Sequence, residues 1–471
     1  MRESKFLKLF NALTIEEQND FEKFLSTLYA SHQKVNTLFQ YIKAHHNKED
    51  NALEKNVVAL QVFNFKKPTT RQRKNIDNYL SILSSYLEEF LILEKHKKKE
   101  LWSGIQLLEI YKNRKLDDLY FAKIETLKKQ INKEKNPNLW AHLDLMRIHH
   151  DTFFHTNFSK IKTGTNPLEE SMYHLDQFFG LAKLKLAAEM LNRQNVLQKS
   201  YDIHLLDETI QYLTQVEKSS SIFIPLIQFL QNPTERDFIT LKKRFFKSYK
   251  DLSSDEQLIV ISYLLNFTSS EMKQGNIQAY SQAFELFQFG IKHQIFIGED
   301  GYISPIQFIN ISAVGCQVNQ LKWVKQFIKN SSNYINPEFR DNTILMAKAC
   351  LQFEEKNFEG VISTSSIIEF KDDYFSLRTR AMVLCSYFEL YYQTDKPLIL
   401  DYCKAYANFI SRNTTINPAT LEGCFALIKF VRLMLRKKVN YEKLIKEVRQ
   451  SPYMFFKPWI LDKVLLFKEK K

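Results

Sequence analysis

The sequence predicts an all-α protein: an N-terminal helical module followed by an α-α superhelix, a degenerate tetratricopeptide-like solenoid. Two observations predict this fold class. Glycine and proline are scarce, at 10 and 11 of 471 residues, and the prolines fall between apolar segments. Because proline breaks the interior of a helix, this placement is typical of helices joined by short turns. In the last part of the chain, cysteines recur at the length of a tetratricopeptide repeat.

Residues 1–100 form the predicted N-terminal helical module. Thr14 and Glu17 have the spacing of a capping box at the start of a helix. The apolar residues that follow share one face of that helix: Phe21, Phe24, Leu25 and Leu28. A longer helix is predicted after Pro68, because its apolar residues recur at alternating steps of four and three: Ile76, Leu80, Leu83, Leu87 and Phe90. The charged run at residues 94–100 predicts the boundary of the module.

Two further segments are predicted after the module. Irregular helical hairpins are predicted for residues 101–275. Tetratricopeptide-like repeats and C-terminal helices are predicted for residues 276–471. Cys316, Cys350 and Cys385 are 34 and 35 residues apart, and Cys424 follows after a longer interval. Small residues at one phased position let the paired helices of a repeat pack closely. The stretch at residues 348–368, KACLQFEEKNFEGVISTSSII, predicts two helices that meet at Lys356-Asn357-Phe358.

Both ends of the chain resemble one protein family. The C-terminal stretches are EFRDNTILMAKACLQFEEKNFEGV, FSLRTRAMVLCSYFELYY and LEGCFALIKFVRLMLRKK, and the N-terminal ones are LTIEEQNDFEKFLSTLYASHQKVNTLFQYI and NIDNYLSILSSYLEEFLIL. They are similar to an uncharacterised family of tetratricopeptide-like helical-repeat proteins of the Bacteroidota. The resemblance implies a helical-repeat fold, and it implies no activity, ligand or catalytic residue. The turn Tyr29-Ala30-Ser31-His32 departs from the family pattern of proline, an aromatic residue and asparagine.

The composition predicts a folded, soluble and cytosolic protein. Hydrophobic residues make up 44% of the chain and aromatic residues 14%, which is enough for a core without disulfides. The N-terminus lacks the continuous apolar core of a signal peptide, and no run of about 18 apolar residues is present. The five cysteines form no C-x-x-C pair, so they predict buried free thiols in a reducing compartment.

No motif in the sequence predicts catalysis, so we expect no enzyme, no catalytic residue and no cofactor. A phosphate-binding loop needs closely spaced glycines at the start of a helix. The closest pair, Gly298 and Gly301, lacks the residues that would complete such a loop. The cysteines occupy phased packing positions, and the chain has no G-x-S-x-G motif for a nucleophilic serine.

The densest group of histidines lies in the stretch AHLDLMRIHHDTFFHTNF. His142 and His149 share one face of the predicted helix, and Asp151 and His155 share another at a spacing that can chelate a metal. A metal site here would also recruit His174. We interpret the stretch as a partly exposed histidine-rich helix and predict no metal ligands, because no H-E-x-x-H motif supports a site. The sequence leaves open whether the group binds a metal.

Five cations surround the start of the long N-terminal helix: Lys66, Lys67, Arg71, Arg73 and Lys74. Cations at a helix N-terminus oppose the helix dipole, and a phosphate group docking there would reverse that penalty. These residues are the candidate contacts for a partner or a nucleic acid. The other interpretation is a solvated face with Thr69 or Thr70 as the helix cap. The net charge of +13 favours acidic partners generally.

The predicted function follows from the fold class. Helical-repeat solenoids present an extended surface that commonly binds another macromolecule. We therefore expect a non-catalytic scaffold or adaptor that binds a protein or peptide. The aromatic residues clustered between Tyr387 and Phe409 suit helix packing or peptide capture. The alternative is a nucleic-acid-binding or regulatory protein that uses the basic N-terminal module, and steep salt dependence of binding would support it.

Overall fold

The protein is helical throughout the part of the chain that the structure describes. The structure is a computed structural model, and the residues that it describes are 1–46, 51–98, 100–131, 139–155, 166–197, 200–215, 221–369, 373–413, 416, 418–436, 439–451 and 454–469. No strand occurs among these residues, which confirms the all-α prediction. Within the same ranges, every helix is too short or too polar to span a bilayer.

Helix packing divides the chain into two compact units, residues 1–178 and residues 179–471. The predicted division into residues 1–100, 101–275 and 276–471 stays a prediction. The helices of the first unit are α1 (Lys5–Asn11), α2 (Ile15–Leu28), α3 (Gln33–His45), α4 (Lys55–Phe63), α5 (Thr70–Lys98), α6 (Glu100–Asn113), α7 (Asp117–Ile131) and α8 (Leu139–Phe153). The long helix α9 (Pro167–Leu197) begins in the first unit.

The N-terminal module packs around a cluster of phenylalanines. At the start of α2, the Thr14 hydroxyl accepts a hydrogen bond from the Glu17 amide, and the Glu17 carboxylate accepts one from the Thr14 amide, so the predicted capping box is confirmed. Phe21 and Leu25 are buried as predicted, whereas Leu28 is 58% exposed because α2 ends at this residue. All five predicted core residues of α5 are buried.

The second unit continues as a series of helices with short connectors. Its helices after α9 are α10 (Leu206–Gln215), α11 (Phe223–Gln231), α12 (Glu235–Ser248), α13 (Ser254–Gln274), α14 (Gln278–Lys292), α15 (Pro305–Gln317), α16 (Leu321–Ser331), α17 (Pro337–Glu354), α18 (Phe358–Ser366), α19 (Asp373–Tyr391), α20 (Lys396–Ser411), α21 (Pro418–Met434), α22 (Tyr441–Gln450) and α23 (Lys457–Glu469).

The phased cysteines lie in the first helix of successive hairpins. Cys316, Cys350 and Cys385 lie in α15, α17 and α19, and each of these helices packs against the helix that follows it. The hairpin predicted at residues 348–368 is confirmed, because α17 ends at Glu354, Lys356 turns the chain with a φ of 60°, and α18 follows. The likeness of these hairpins to tetratricopeptide repeats stays a prediction.

Candidate functional site

The predicted contact residues lie around the start of α5. All five are exposed: Lys66, Lys67, Arg71, Arg73 and Lys74. The Thr69 hydroxyl accepts a hydrogen bond from the Gln72 amide at 3.3 Å, and the Thr69 amide donates one to the Gln72 side chain at 2.9 Å. The helix therefore has the threonine cap expected of a solvated face. Asp77, the first carboxylate of α5, pairs with Lys55 at 2.7 Å and is engaged away from the five cations.

The structure brings three of the predicted histidines together and separates the fourth. Nδ1 of His142 lies 3.0 Å from Nδ1 of His174, and the ring centroids of His149 and His174 are 5.7 Å apart. His155 lies elsewhere, with its Nε2 3.7 Å from an oxygen of Asp117. His150 is exposed as expected, but His142, His149 and His155 are only 6–7% exposed, so the expectation of a partly exposed helix is wrong at these three positions. The reason is that both α7 and α9 contact α8.

Burial favours the neutral form of the clustered imidazoles. Burial, followed by the nearby Lys128 ammonium, lowers the pKa of His149 to about 4. Burial, followed by the neighbouring His142, lowers the pKa of His174 to about 4, and burial alone lowers the pKa of His142. Nδ1 of His149 is buried and has no hydrogen-bond partner among the described residues. Since buried polar atoms in native proteins are nearly always hydrogen-bonded, this nitrogen requires an explanation.

Glu170 joins the histidine cluster and was missed by the sequence reasoning. It lies four residues before His174 on α9, so the two side chains share one face of the helix. One ligand atom each from His149, Glu170 and His174 lie within 4.8 Å of one another. The spacing of Glu170 and His174 was a usable signal, but only tertiary packing adds His149 of another helix.

The cysteines are packing residues. Cys316, Cys385, Cys403 and Cys424 are buried free thiols, as predicted, and Cys350 is half-buried. Burial raises the pKa of all five thiols. They therefore stay protonated at neutral pH, and a protonated thiol is a poor nucleophile.

The C-terminal helix α23 packs against two aromatic residues, Phe388 of α19 and Tyr392 directly after it. The Phe388 ring meets the Trp459 ring edge-on, with centroids 5.5 Å apart. The Glu389 carboxylate accepts hydrogen bonds from Trp459 Nε1 and Lys463 Nζ, each at 2.6 Å. The chain itself thus contacts two of the aromatic residues that the sequence offers for peptide capture, and a peptide would reach Phe388 and Tyr392 only after α23 leaves.

A partly buried carboxyl group lies at the end of α17. Burial, with a smaller contribution from the Asp462 carboxylate, raises the pKa of Glu354 to about 7. The Gln317 side-chain amide donates a hydrogen bond to this carboxylate, which opposes the rise. Because the pKa is raised above the ordinary value of 4.5, the folded protein binds more protons than the unfolded chain between these two values. The stability that Glu354 contributes is complete below its unfolded pKa and is lost as the pH rises through about 7.

We expect Glu354→Gln to stabilise the protein more strongly as the pH rises. Glutamine has the shape of the protonated carboxyl group and never ionises. The gain in free energy of unfolding should be small at about pH 5 and on the order of 2 kcal/mol at about pH 8. Denaturant titrations of both proteins across this range measure the difference. A gain that does not change with pH would contradict the prediction.

Exposed apolar side chains lie on both helices of the α8–α9 pair. On α9, Leu168, Met172 and Leu175 follow steps of four and three and are 41%, 57% and 41% exposed. On α8, Trp140 is 64% exposed. We call the three residues of α9 the α8–α9 apolar face; Trp140 is a separate exposed residue, with its ring centroid 6.2 Å from that of Phe178 of α9. Single exposed apolar residues are ordinary, but a stripe at helical spacing is the kind of surface against which a partner helix packs.

Comparisons with known proteins add no relative. No protein-family model matches the chain, no curated protein matches it, and no solved structure matches its fold.

Proposed function

We propose that the protein is a non-catalytic scaffold or adaptor that binds a partner protein or peptide on its helical surface. The observation that carries this proposal is the α8–α9 apolar face, where three large side chains share one face of α9. The protonated, buried cysteines support the non-catalytic part of the proposal, because they remove the thiols from the candidate nucleophiles.

The occupant of the face is an amphipathic helix of a partner protein. Apolar residues at steps of four and three match the anchor spacing with which one helix packs against another. Met172, at the centre of the stripe, has a flexible and polarisable side chain that adapts to different partner surfaces. The net charge of +13 favours a partner helix whose polar residues are acidic.

We expect Met172→Glu to abolish capture of the partner while the fold stays intact. The substitution puts a charge at the centre of the apolar stripe, and a desolvated, unpaired charge is costly at an interface. The tagged protein is captured from the lysate of its own host after nuclease treatment, and bound proteins are identified by mass spectrometry. Ile277→Glu is the matched control, because Ile277 is 80% exposed and lies outside the face. A partner that binds both variants equally would contradict the proposed site.

The five exposed cations at the start of α5 favour a second candidate function, nucleic-acid binding. They surround a helix N-terminus, where backbone amides and the helix dipole also attract phosphate. The same capture experiment separates the two functions. Nucleic acid in the untreated sample, or proteins that vanish on nuclease treatment, would favour this candidate, particularly if changing Arg71, Arg73 and Lys74 to glutamate removes steep salt dependence.

A further inference from the structure

The helix pair of α8 and α9 aligns several potential metal ligands. The Ser171 hydroxyl of α9 donates a hydrogen bond to the Met146 carbonyl of α8 at 3.0 Å. One turn along, the rings of His142 and His174 face each other. The contact partner of Ser171 is Met146, and the partner of His174, later in α9, is His142, earlier in α8. The two helices therefore run antiparallel here. The alignment sets His149 opposite the first turns of α9.

Three ligand atoms converge at this level of the pair. His149 is 7% exposed, and its Nδ1 has no hydrogen-bond partner in the described ranges. Glu170 and His174, at i and i+4 on α9, complete a group whose ligand atoms all lie within 4.8 Å of one another. Leaving a buried polar nitrogen unpaired costs free energy that a bound cation would recover.

We propose that His149, Glu170 and His174 bind one zinc ion between α8 and α9. Two imidazole nitrogens and a carboxylate oxygen are a known zinc ligand set, and a water molecule completes the tetrahedron. Imidazole ligands also favour zinc over the harder cations magnesium and calcium. The ion links two helices that the chain connects only through residues 156–165, outside the described residues.

His142 acts as a positioning residue for this site. Its Nδ1 lies at hydrogen-bond distance from Nδ1 of His174, which leaves Nε2 of His174 for the metal. Metal-bound imidazoles generally use their second nitrogen in such a bond, which fixes the ring orientation. A second histidine in this position explains why α8 carries two histidines seven residues apart on one face.

Two features of the site oppose zinc binding: the separation of the ligand atoms and the positive charge of a nearby lysine. Ligand atoms of a tetrahedral zinc site lie about 3.4 Å apart, as the bond lengths of about 2.1 Å require. Separations of up to 4.8 Å therefore close by side-chain rotation. The Lys128 ammonium of α7 is near enough to lower the pKa of both histidine ligands, and it also repels a cation. The Glu170 carboxylate offsets this charge.

The zinc site lies apart from the α8–α9 apolar face. Glu170 and His174 project from one side of α9, and Leu168, Met172 and Leu175 project from the other, as their helical spacing requires. Zinc would therefore stabilise the helix pair that presents the face without contacting a partner. The two proposals are independent, since the metal can be measured on the purified protein alone.

The test is zinc binding by the full chain without an affinity tag. We expect one zinc ion per chain after equilibration with zinc alone, measured by elemental analysis, and a melting temperature that rises with zinc. His149→Ala and His174→Ala should weaken binding by at least about 100-fold, and His142→Ala by about 10- to 100-fold. His150→Ala is the matched control, because His150 is exposed on the same helix and contacts Asp151 instead. It should leave the affinity unchanged.

Two further variants keep the outcome decisive if a buried alanine substitution unfolds the protein. Glu170→Gln alters a half-buried ligand and should also weaken zinc binding, whereas Lys128→Gln should tighten it because a cation is removed. Replacing zinc with cobalt(II) should give the visible absorption of a tetrahedral site. The proposal is overturned if the wild-type chain binds no stoichiometric zinc, or if His150→Ala weakens binding as much as His174→Ala does.

Discussion

Phe21→Ala is expected to destabilise the first unit by about 3–5 kcal/mol. Phe21 is fully buried, and its ring centroid lies 5.3 Å from that of Phe39 and 5.5 Å from that of Phe90. Phe6 and Phe10 complete the cluster at 6.3 and 6.5 Å. Alanine would leave a cavity among rings contributed by three other helices, α1, α3 and α5, which cannot all move inward together. Denaturant unfolding followed by circular dichroism measures the loss.

Ile15→Ala is the matched control for this substitution. Ile15 lies on the same helix as Phe21 but is 79% exposed. Its replacement should change the free energy of unfolding by no more than about 0.5 kcal/mol, as is usual for surface positions. If the two variants lost the same stability, the phenylalanine cluster would not be the core of the N-terminal module.

Glu389→Ala is expected to cost about 3 kcal/mol and to loosen the C-terminal helix. The carboxylate accepts hydrogen bonds from the Trp459 indole and the Lys463 ammonium, so α23 loses both polar contacts with α19 at once. The side chains of Glu389 and Lys463 are only 16% and 22% exposed. Removing the carboxylate therefore leaves a poorly hydrated cation without a partner. Denaturant unfolding and the rate of protease cleavage around α23 measure the two effects.

Glu442→Ala provides the comparison, because Glu442 also pairs with a lysine of α23. Its ion pair with Lys468 is 3.2 Å long, but the two side chains are 80% and 48% exposed. Exposed ion pairs contribute at most about 1 kcal/mol. We expect this variant to keep α23 protected. Equal cleavage of the two variants would show that burial of the Glu389 pair does not anchor the helix.

Local sequence patterns predicted the features that depend on one helix at a time. The capping box of Thr14 and Glu17 and the buried face of α5 depend on residues within a few turns of each other, so propensity and periodicity suffice. The turn at Lys356 is also a local feature, because a short polar segment separates two apolar-periodic stretches there. The exposure of the five basic residues around α5 follows from the same reasoning.

The histidines show where local reasoning fails. On a helical projection, Asp151 and His155 are as good a ligand pair as any, but His155 turns to Asp117 of α7. His174 was recruited to the group from the sequence, but Glu170 was not, because nothing in the spacing along the chain ties it to His149. Which side chains meet depends on the packing of one helix against another.

The sequence by itself therefore determined the all-α class, the helix caps, the apolar faces and the cysteine phase, because each depends on short-range backbone and packing preferences. Tertiary structure alone decided that α23 packs against Phe388 and Glu389 of α19 and that Glu170 joins His149 and His174. These contacts join residues distant in sequence. Their choice depends on the total free energy of packing whole helices, which no local pattern of residues encodes.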